Sequence, residues 1–197
     1  MGVKKNVLYT TFLTGANYIF PLITYPYISR ILGPANIGAN EFALRIVGYF
    51  LLFASLGVTT IGTREVAKSK QSKEECSKTF SSILILNILS TIFILVVYGI
   101  CIYSVASFQR VKPLLLIGSI QIAFTPFLIE WLYKGMEDFP YITKRSLAVR
   151  VLYVISIFIF VKTEEDLLKY FTLTILSMIL NAIFNWEHKR KYVRFTI

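Results

Sequence analysis

Two long runs without a charged residue constrain this chain most. Asn6–Ser29 holds no Asp, Glu, Lys or Arg over 24 residues, and Thr79–Gln109 holds none over 31. A helix rises about 1.5 Å per residue, so the shorter run reaches about 36 Å, more than the hydrocarbon core of about 30 Å. Both runs therefore predict transmembrane helices.

The composition agrees with a membrane protein. Of the 197 residues, 55% are apolar and 16% are charged, and the mean hydropathy is +0.63. Soluble domains carry about 25% charged residues. This balance excludes a disordered chain or a fibrous repeat and argues against a soluble domain. Six spans of about 20 residues fit this length with short loops, whereas twelve do not.

The positions of the charges predict an all-α, polytopic membrane protein with six transmembrane helices. The fifth span depends on two arginines, because the charge-free run Val151–Val161 has only 11 residues. It can cross only if Arg145 and Arg150 lie within the helix. No segment outside the spans is long enough to fold as a domain. The predicted spans are approximately residues 7–30, 41–63, 79–104, 113–133, 144–162 and 167–186.

Local signals mark three helix starts. The patterns Ser72-x-x-Glu75 and Thr163-x-x-Asp166 predict N-terminal caps before the third and sixth spans. Pro113 opens the fourth span, where a first helical turn tolerates proline. These signals support the placement of the spans.

The net charge of +10 is interpreted as a topology signal. Lys4 and Lys5 precede the first span, which is longer than a signal peptide's apolar region and has no small-x-small cleavage site after it. With the N-terminus in the cytoplasm, 15 of the 21 basic residues fall inside and five outside. That asymmetry follows the positive-inside rule and places the C-terminus in the cytoplasm as well. It argues against a nucleic-acid partner, for which no motif is present.

Polar side chains recur on one face of the first and sixth spans. Thr and Asn commonly hydrogen-bond between membrane helices, so packing and the lining of a cavity both remain open. Pro21 and Pro26 each remove a backbone hydrogen bond and predict a kink. A short outer loop is expected at 31–39. The two stripes are Thr10, Thr14, Asn17, Pro21 and Thr24, and Thr174, Ser177, Asn181 and Asn185.

Ionisable residues within the spans are candidates for function, because charge inside a membrane is costly. Arg150 lies about 10 Å into the fifth helix and is expected to face a wet interior. For the other three a local role stays open. Arg45 could pair with Glu41 one turn earlier, Glu130 could pair with Lys134, and Arg30 could anchor the outer interface.

Enzyme signatures are missing from the sequence. It has no G-x-x-x-x-G-K-[ST], G-x-S-x-G or H-E-x-x-H pattern, and its one histidine, His188, lies in the basic tail. Cys76 and Cys101 are too few for a disulfide scaffold, and with His188 they would lack a fourth zinc ligand. No cofactor or metal is expected, and binding and translocation remain the natural interpretation.

Three ordered blocks carry a family resemblance over nearly the whole chain. They are NYIFPLITYPYISRILG (17–33, followed by Pro34 and Gly38), SLGVTTIGTREVA (55–67) and IEWLYKGMEDFPYITKRS (129–146). In this six-span frame the chain resembles the N-terminal half of bacterial polysaccharide and O-antigen flippases. These belong to the multidrug/oligosaccharidyl-lipid/polysaccharide exporter superfamily.

The resemblance implies a transporter, not an enzyme, in the bacterial inner membrane. Its substrate would be an undecaprenyl-diphosphate-linked oligosaccharide repeat unit for O-antigen, capsule or exopolysaccharide. Family members have two six-helix lobes around a central cavity. Carried over, Arg30, Arg45 and Arg150 are candidates to hold the diphosphate, with Asn17 and Asn181 as further substrate contacts. Glu130 is a candidate for coupling to an ion gradient.

One departure from the family pattern leaves rival functions open. Family members have about twelve or fourteen spans, and this sequence matches only the first lobe. We therefore expect a truncated or half-length member that pairs with a second lobe or with copies of itself among membrane lipids. The alternatives are a non-transporting fragment or assembly subunit, and a multidrug-type exporter of the same superfamily.

Overall fold

The protein is all-α throughout the part that the structure describes. The structure, a computed structural model, describes the backbone of residues 3–194 and the side chains of 7–194. The charges of Lys4 and Lys5 lie outside the described side chains. The helices are α1 (Val3–Ser55), α2 (Val58–Ser69), α3 (Lys73–Ser104), α4 (Lys112–Phe124), α5 (Glu130–Gly135), α6 (Phe139–Phe160) and α7 (Leu167–His188). Short 3-10 turns join α3 to α4, α4 to α5 and α6 to α7.

Among the residues that the structure describes, four helical segments are long and apolar enough to cross a membrane, by length and composition. This is fewer than the six predicted. The first segment joins α1 and α2. Helix α6 is not among the four segments, because it carries three charged residues, Lys144, Arg145 and Arg150. The 22 residues of α6 still reach about 33 Å. The four segments are Val7–Ser69, Lys73–Ser104, Ala106–Gly135 and Glu164–Lys191.

The region predicted as the outer loop 31–39 is helical on both sides of a single break. Within α1 only Gly33 leaves helical dihedrals, with φ 73° and ψ 165°, a conformation essentially restricted to glycine. The backbone also stays helical at Pro21 and Pro26. Neighbouring hydroxyls bond to the helix there, since Thr24 Oγ1 donates to Phe20 O at 3.1 Å and Ser29 Oγ to Pro26 O at 3.1 Å.

Two predicted spans end earlier than expected. The span predicted at 41–63 stops at Ser55, because Leu56 and Gly57 take positive φ values of 43° and 70°. The span predicted at 113–133 is interrupted at Ile129, with φ 36°. The helices that follow these breaks, α2 and α5, pack against each other. A Cβ on Gly62 of α2 would lie 2.7 Å from the Trp131 ring of α5.

The predicted helix starts are confirmed. Ser72 caps α3 and accepts a hydrogen bond from the Glu75 N–H at 3.3 Å. Thr163 and Asp166 form a capping box before α7, and Pro113 lies in the first turn of α4. Both arginines of the fifth predicted span lie inside α6.

The two halves of α1 pack against different helices. Residues 3–32 lie on α6, where Ile28 and Leu32 join Ile157 in a buried cluster and Tyr27 Oη donates to Val161 O at 2.8 Å. Residues 34–55 lie on α3, α4 and α7. Together they form a buried cluster, which is Ala43, Val47, Ala54, Tyr98, Ile102, Val111, Leu114, Leu115, Ile122, Phe171 and Ile175. Gly33 therefore redirects the chain from one side of the bundle to another.

Candidate substrate cavity

A polar cavity of about 400 Å³ lies between α1, α6 and α7 and the start of α5. Leu13, Leu128 and Val149 supply its apolar wall. The remaining lining residues carry hydrogen-bonding or charged groups: Asn17, Glu130, Arg145, Ser146, Arg150, Tyr153, Thr174, Ser177 and Asn181. Such a concentration of polar groups among membrane helices is costly unless it contacts water or a ligand.

Arg150 joins two helices across the cavity. It lies midway along α6, and its Nη1 donates to Asn17 Oδ1 of α1. Its guanidinium lies 5.9 Å from the centroid of the Phe20 ring. The Arg150 side chain is half-buried, so some of its N–H groups remain accessible to a ligand. The arginine side chain keeps its positive charge in proteins.

Arg145 lies deeper in the same wall. Its side chain is 4% exposed. Nη1 donates to Asn185 Oδ1, and Nη2 donates to Glu130 Oε2 at 3.1 Å and to Ser146 Oγ at 3.0 Å. A buried charge is tolerated only where it is paired and hydrogen-bonded, and these contacts meet that condition. Its Nε is buried without a partner among the described residues.

Glu130 connects the cavity to α5. One carboxylate oxygen lies 3.0 Å from Lys134 Nζ and the other 3.1 Å from Arg145 Nη2. The residue before it, Ile129, is buried in the left-handed region, an unusual conformation for a β-branched side chain. The break at Ile129 therefore sets the direction from which Glu130 reaches the arginine.

Asn185 closes the cavity wall from behind. It is fully buried on α7. Its side-chain Nδ2 donates to Leu128 O, and its main-chain carbonyl oxygen accepts from Tyr133 Oη. Its side-chain oxygen accepts from Arg145. A single amide thus ties α6 and α7 to the segment between α4 and α5.

The hydroxyl side of the cavity is formed mainly by α7. Tyr153 Oη and Thr174 Oγ1 lie 3.0 Å apart, and Ser177 Oγ donates to Thr174 O at 2.7 Å. Asn181 Nδ2 donates to Ser177 O at 2.9 Å. The Asn181 Oδ1 is buried without a partner among the described residues. This face offers hydroxyl and amide groups to a polar ligand.

The cavity brings together four of the six predicted site residues: Asn17, Glu130, Arg150 and Asn181. Arg30 and Arg45 do not line it and are exposed. Arg30 is 13 residues beyond Asn17, about 20 Å along the helix. Arg45 lies past the Gly33 break, on the half of α1 that packs elsewhere.

Of the two ion pairs predicted within single helices, one forms and the other does not. The Glu130–Lys134 pair forms, but Glu130 also contacts Arg145. No ion pair joins Glu41 to Arg45 among the described side chains.

Sequence reasoning missed Arg145 as a cavity residue. The sequence places Arg145 within the fifth predicted span but does not mark it as a candidate for binding. A signal was available, because Ser146, Arg150 and Tyr153 recur at helical spacing and Arg145 lies beside that face. Its contact with Glu130 requires the break at Ile129, which no pattern in the sequence predicted.

A resident metal has no evident site in the described part of the chain, where no three His, Cys, Asp or Glu side chains lie together. Two arginines and one carboxylate line the cavity, so the net positive charge of the lining favours an anionic ligand. Several apolar helices surrounding a cationic, polar cavity define a multi-pass membrane protein.

The chain belongs to the polysaccharide biosynthesis protein family, whose profile matches residues 3–196. Two curated relatives are each named "Putative O-antigen transporter". The Escherichia coli (strain K12) protein is 29% identical over 85% of this chain and 40% of its own length. The Shigella dysenteriae protein is 27% identical over 96% of this chain and 47% of its own length.

These relatives confirm the family resemblance seen in the three sequence blocks. The names of both relatives describe an O-antigen transporter. The chain spans less than half the length of either relative. No solved structure matches it.

Proposed function

We propose that this chain forms one six-helix lobe of a transporter that moves undecaprenyl-diphosphate-linked oligosaccharide repeat units across the bacterial inner membrane. The products served would be O-antigen, capsule or exopolysaccharide. The observation that carries the proposal is the cavity in which Arg150 is positioned by Asn17 and a second arginine lies in the wall.

The cavity offers groups that suit both parts of such a substrate, the diphosphate and the sugars. Arginine binds phosphate oxygens through several N–H groups and keeps its charge in a membrane. Arg150 is the more accessible of the two arginines, so it is assigned the diphosphate. The hydroxyl and amide groups of Thr174, Ser177 and Asn181 are assigned to sugar hydroxyls.

Glu130 is assigned to ion coupling. Its carboxylate holds Lys134 and Arg145 together, so neutralising it would weaken both contacts. That change would alter the wall that α5 and α6 share. The roles of Arg30 and Arg45 in diphosphate binding remain predictions for sites outside this cavity.

The proposed topology has six spans with both termini in the cytoplasm. The two halves of α1 on either side of Gly33 would supply two spans. The others would be α3, α6, α7 and the segment Ala106–Gly135, which contains α4. The excess of basic residues in alternate segments supports this orientation. The remaining half of the transporter would come from a second lobe or from another copy.

Replacing Arg150 tests the assignment. We expect Arg150→Ala to weaken binding of a polyprenyl diphosphate by at least about tenfold, because a charged hydrogen bond contributes about 1.5–3 kcal/mol. Binding would be measured with the purified 197-residue chain, and Arg64→Ala, an exposed arginine on α2, is the matched control. Affinity equal to that of the unsubstituted chain would contradict the role.

Flipping assays separate transport from the alternatives. The chain would be placed in proteoliposomes, alone and with the second half of the Escherichia coli relative, and flipping of a fluorescent lipid-linked sugar would be followed. Flipping in either arm supports the proposal. Binding without flipping in both arms would instead favour an assembly subunit, an alternative suggested by the chain's coverage of its relatives.

A further inference from the structure

A second recess lies on the α6–α7 pair and is distinct from the cavity. Its volume is about 510 Å³, and we call it the α6–α7 groove. Its lining includes Tyr141, Lys144 and Ala148 of α6 and Phe184 and His188 of α7. Arg145 is the one residue that lines both this groove and the polar cavity. The groove therefore shares a wall with the cavity at a buried cation.

The wall of the groove is built by specific contacts. The rings of Tyr141 and His188 stack with centroids 3.7 Å apart and an interplanar angle of 8°. Tyr141 Oη donates to Phe184 O at 2.7 Å, and a ring nitrogen of His188 lies 3.2 Å from Asp138 Oδ2. These contacts fix α6 against α7 and hold the groove in shape.

The groove is amphipathic along its length. Lys144 is exposed and makes no ion pair among the described side chains. Arg145 lies beside it with a buried Nε–H that has no partner in the described structure. One helical turn from Lys144, Ala148 is exposed, and Phe184 is 40% exposed on the facing helix. A cationic end thus continues into an apolar surface.

We propose that the α6–α7 groove binds the phosphate group of a lipid, with Lys144 and Arg145 at the phosphate and the lipid chain along Ala148 and Phe184. Basic recesses between membrane helices at the cytoplasmic side are suited to phosphate headgroups. This inference rests on the proposed function, because it makes the groove the point at which a lipid-linked substrate reaches the bundle. Arg145 then lies between the groove and the cavity.

Glu187 lets the charge dependence of phosphate binding be tested in both directions. Its carboxylate also lines the groove and repels an anion there. Removing this charge should strengthen phosphate binding, whereas removing the Lys144 charge should weaken it. A purely structural groove would respond to neither change.

The test uses a photoreactive farnesyl phosphate with the full 197-residue chain in detergent, and labelled peptides are identified by mass spectrometry. We expect labelling of α6 and α7 peptides that contain Ala148 and Phe184. Labelling should fall about tenfold in Lys144→Gln, as expected for the loss of one charged contact. It should rise severalfold in Glu187→Gln. Lys73→Gln, at an exposed lysine of α3, is the matched control.

A steric variant keeps the charges and fills the groove. Ala148→Trp should abolish labelling of the groove peptides, whereas Ala67→Trp, at an exposed alanine of α2, should not. Circular dichroism and gel filtration establish that the variants are folded. If Ala148→Trp does not fold, the two charge variants decide the outcome.

Competition identifies the source of the phosphate. Loss of labelling on adding phosphatidylglycerol supports a lipid headgroup site. Equal competition by inorganic phosphate would overturn the requirement for a lipid. Labelling confined to peptides around Asn17 would overturn the groove and leave the cavity proposal standing. Groove labelling, together with an Arg150→Ala variant that binds a polyprenyl diphosphate as tightly as the unsubstituted chain, would support the groove and contradict the proposed function.

Discussion

At the scale of single residues, the cavity depends on amides that hold charged groups in place. Asn17 positions Arg150 from the neighbouring helix, and Asn185 positions Arg145 from behind. Both arginines are on α6, so amides on two other helices determine where their guanidinium groups point. The position of a cation in this bundle is therefore a property of three helices and not of α6 alone.

Asn185→Ala tests the buried amide. The change removes an acceptor from a buried guanidinium and a donor to Leu128 O, and it should lower the free energy of unfolding by about 2–3 kcal/mol. Thermal unfolding in detergent would measure the loss. Asn181→Ala is the control, because the one hydrogen bond that its amide makes to the described residues stays within α7, at Ser177 O. Equal losses in the two variants would contradict this account of Asn185.

Asp138 should make the folded protein sensitive to acid. Burial by itself raises the pKa of this carboxyl group, but hydrogen bonds with Tyr192 Oη (2.6 Å), His188 and the Tyr141 N–H hold the pKa below its usual range. A lowered pKa in the folded state stabilises the protein above the unfolded pKa of about 3.9. That stabilisation is lost as the pH falls through the folded value.

The measurement compares unfolding of the unsubstituted chain and of Asp138→Asn at pH 7 and near pH 3. The variant should be less stable at pH 7, and the difference should shrink at the lower pH. A difference that does not change with pH would mean that the Asp138 charge contributes nothing. Glu165→Gln, at an exposed carboxylate that forms no ion pair among the described side chains, is the control.

At the scale of helices, single-residue breaks decide the architecture. Gly33, Gly57 and Ile129 take positive φ values, and each ends a segment that would otherwise continue as one helix. The break at Gly33 sends the two halves of α1 to different partners. The break at Ile129 brings Glu130 to Arg145. Both the bundle and the cavity therefore depend on these points.

Gly33→Ala should destabilise the protein through the backbone. An added Cβ meets only Glu164 Oε1, at 3.9 Å, so no clash is involved. The dihedrals of Gly33 are those of a region where other residues cost about 1–3 kcal/mol. Gly38→Ala is the control, because Gly38 is helical and has nothing within 4 Å of its Cβ position. A lower midpoint of thermal unfolding in Gly33→Ala alone is expected; equal midpoints would contradict the strain argument.

At the scale of the whole molecule, large apolar side chains cover the surface. Phe12, Leu22, Leu52, Leu89 and Phe93 are all more than half exposed, as expected for helices that face lipid. The buried clusters lie between helices, and the polar cavity is enclosed by α1, α6 and α7. A membrane supplies the environment in which this distribution of side chains is stable.

The topology can be tested with single cysteines in a background with Cys76→Ser and Cys101→Ser. Gln71, between α2 and α3, and Ser107, after α3, are both exposed. Because one span separates them, Gln71→Cys should react with a membrane-impermeant maleimide only from the cytoplasm, and Ser107→Cys only from the other side. Reaction of both from one side would rule out the proposed path of α3.

The sequence by itself determined the all-helical membrane class and the helix starts at Ser72, Pro113 and Thr163. These depend on local composition and capping, which act within a few residues. The resemblance carried by the blocks at 17–33, 55–67 and 129–146 also identified the family. Asn17, Asn181 and Arg150 could be named as candidates because polar residues are conspicuous in apolar runs.

The tertiary structure alone decided which of these residues meet. Helical spacing places Arg145 beside the face of Ser146, Arg150 and Tyr153, but it does not show that Arg145 is buried between Glu130 and Asn185. The family resemblance assigned Arg30, Arg45 and Arg150 to the same diphosphate, and the structure places only Arg150 of these three in the cavity. The contacts join residues 15 to 133 positions apart. They depend on the breaks at Gly33 and Ile129, because a change of direction at one residue sets where every later side chain lies.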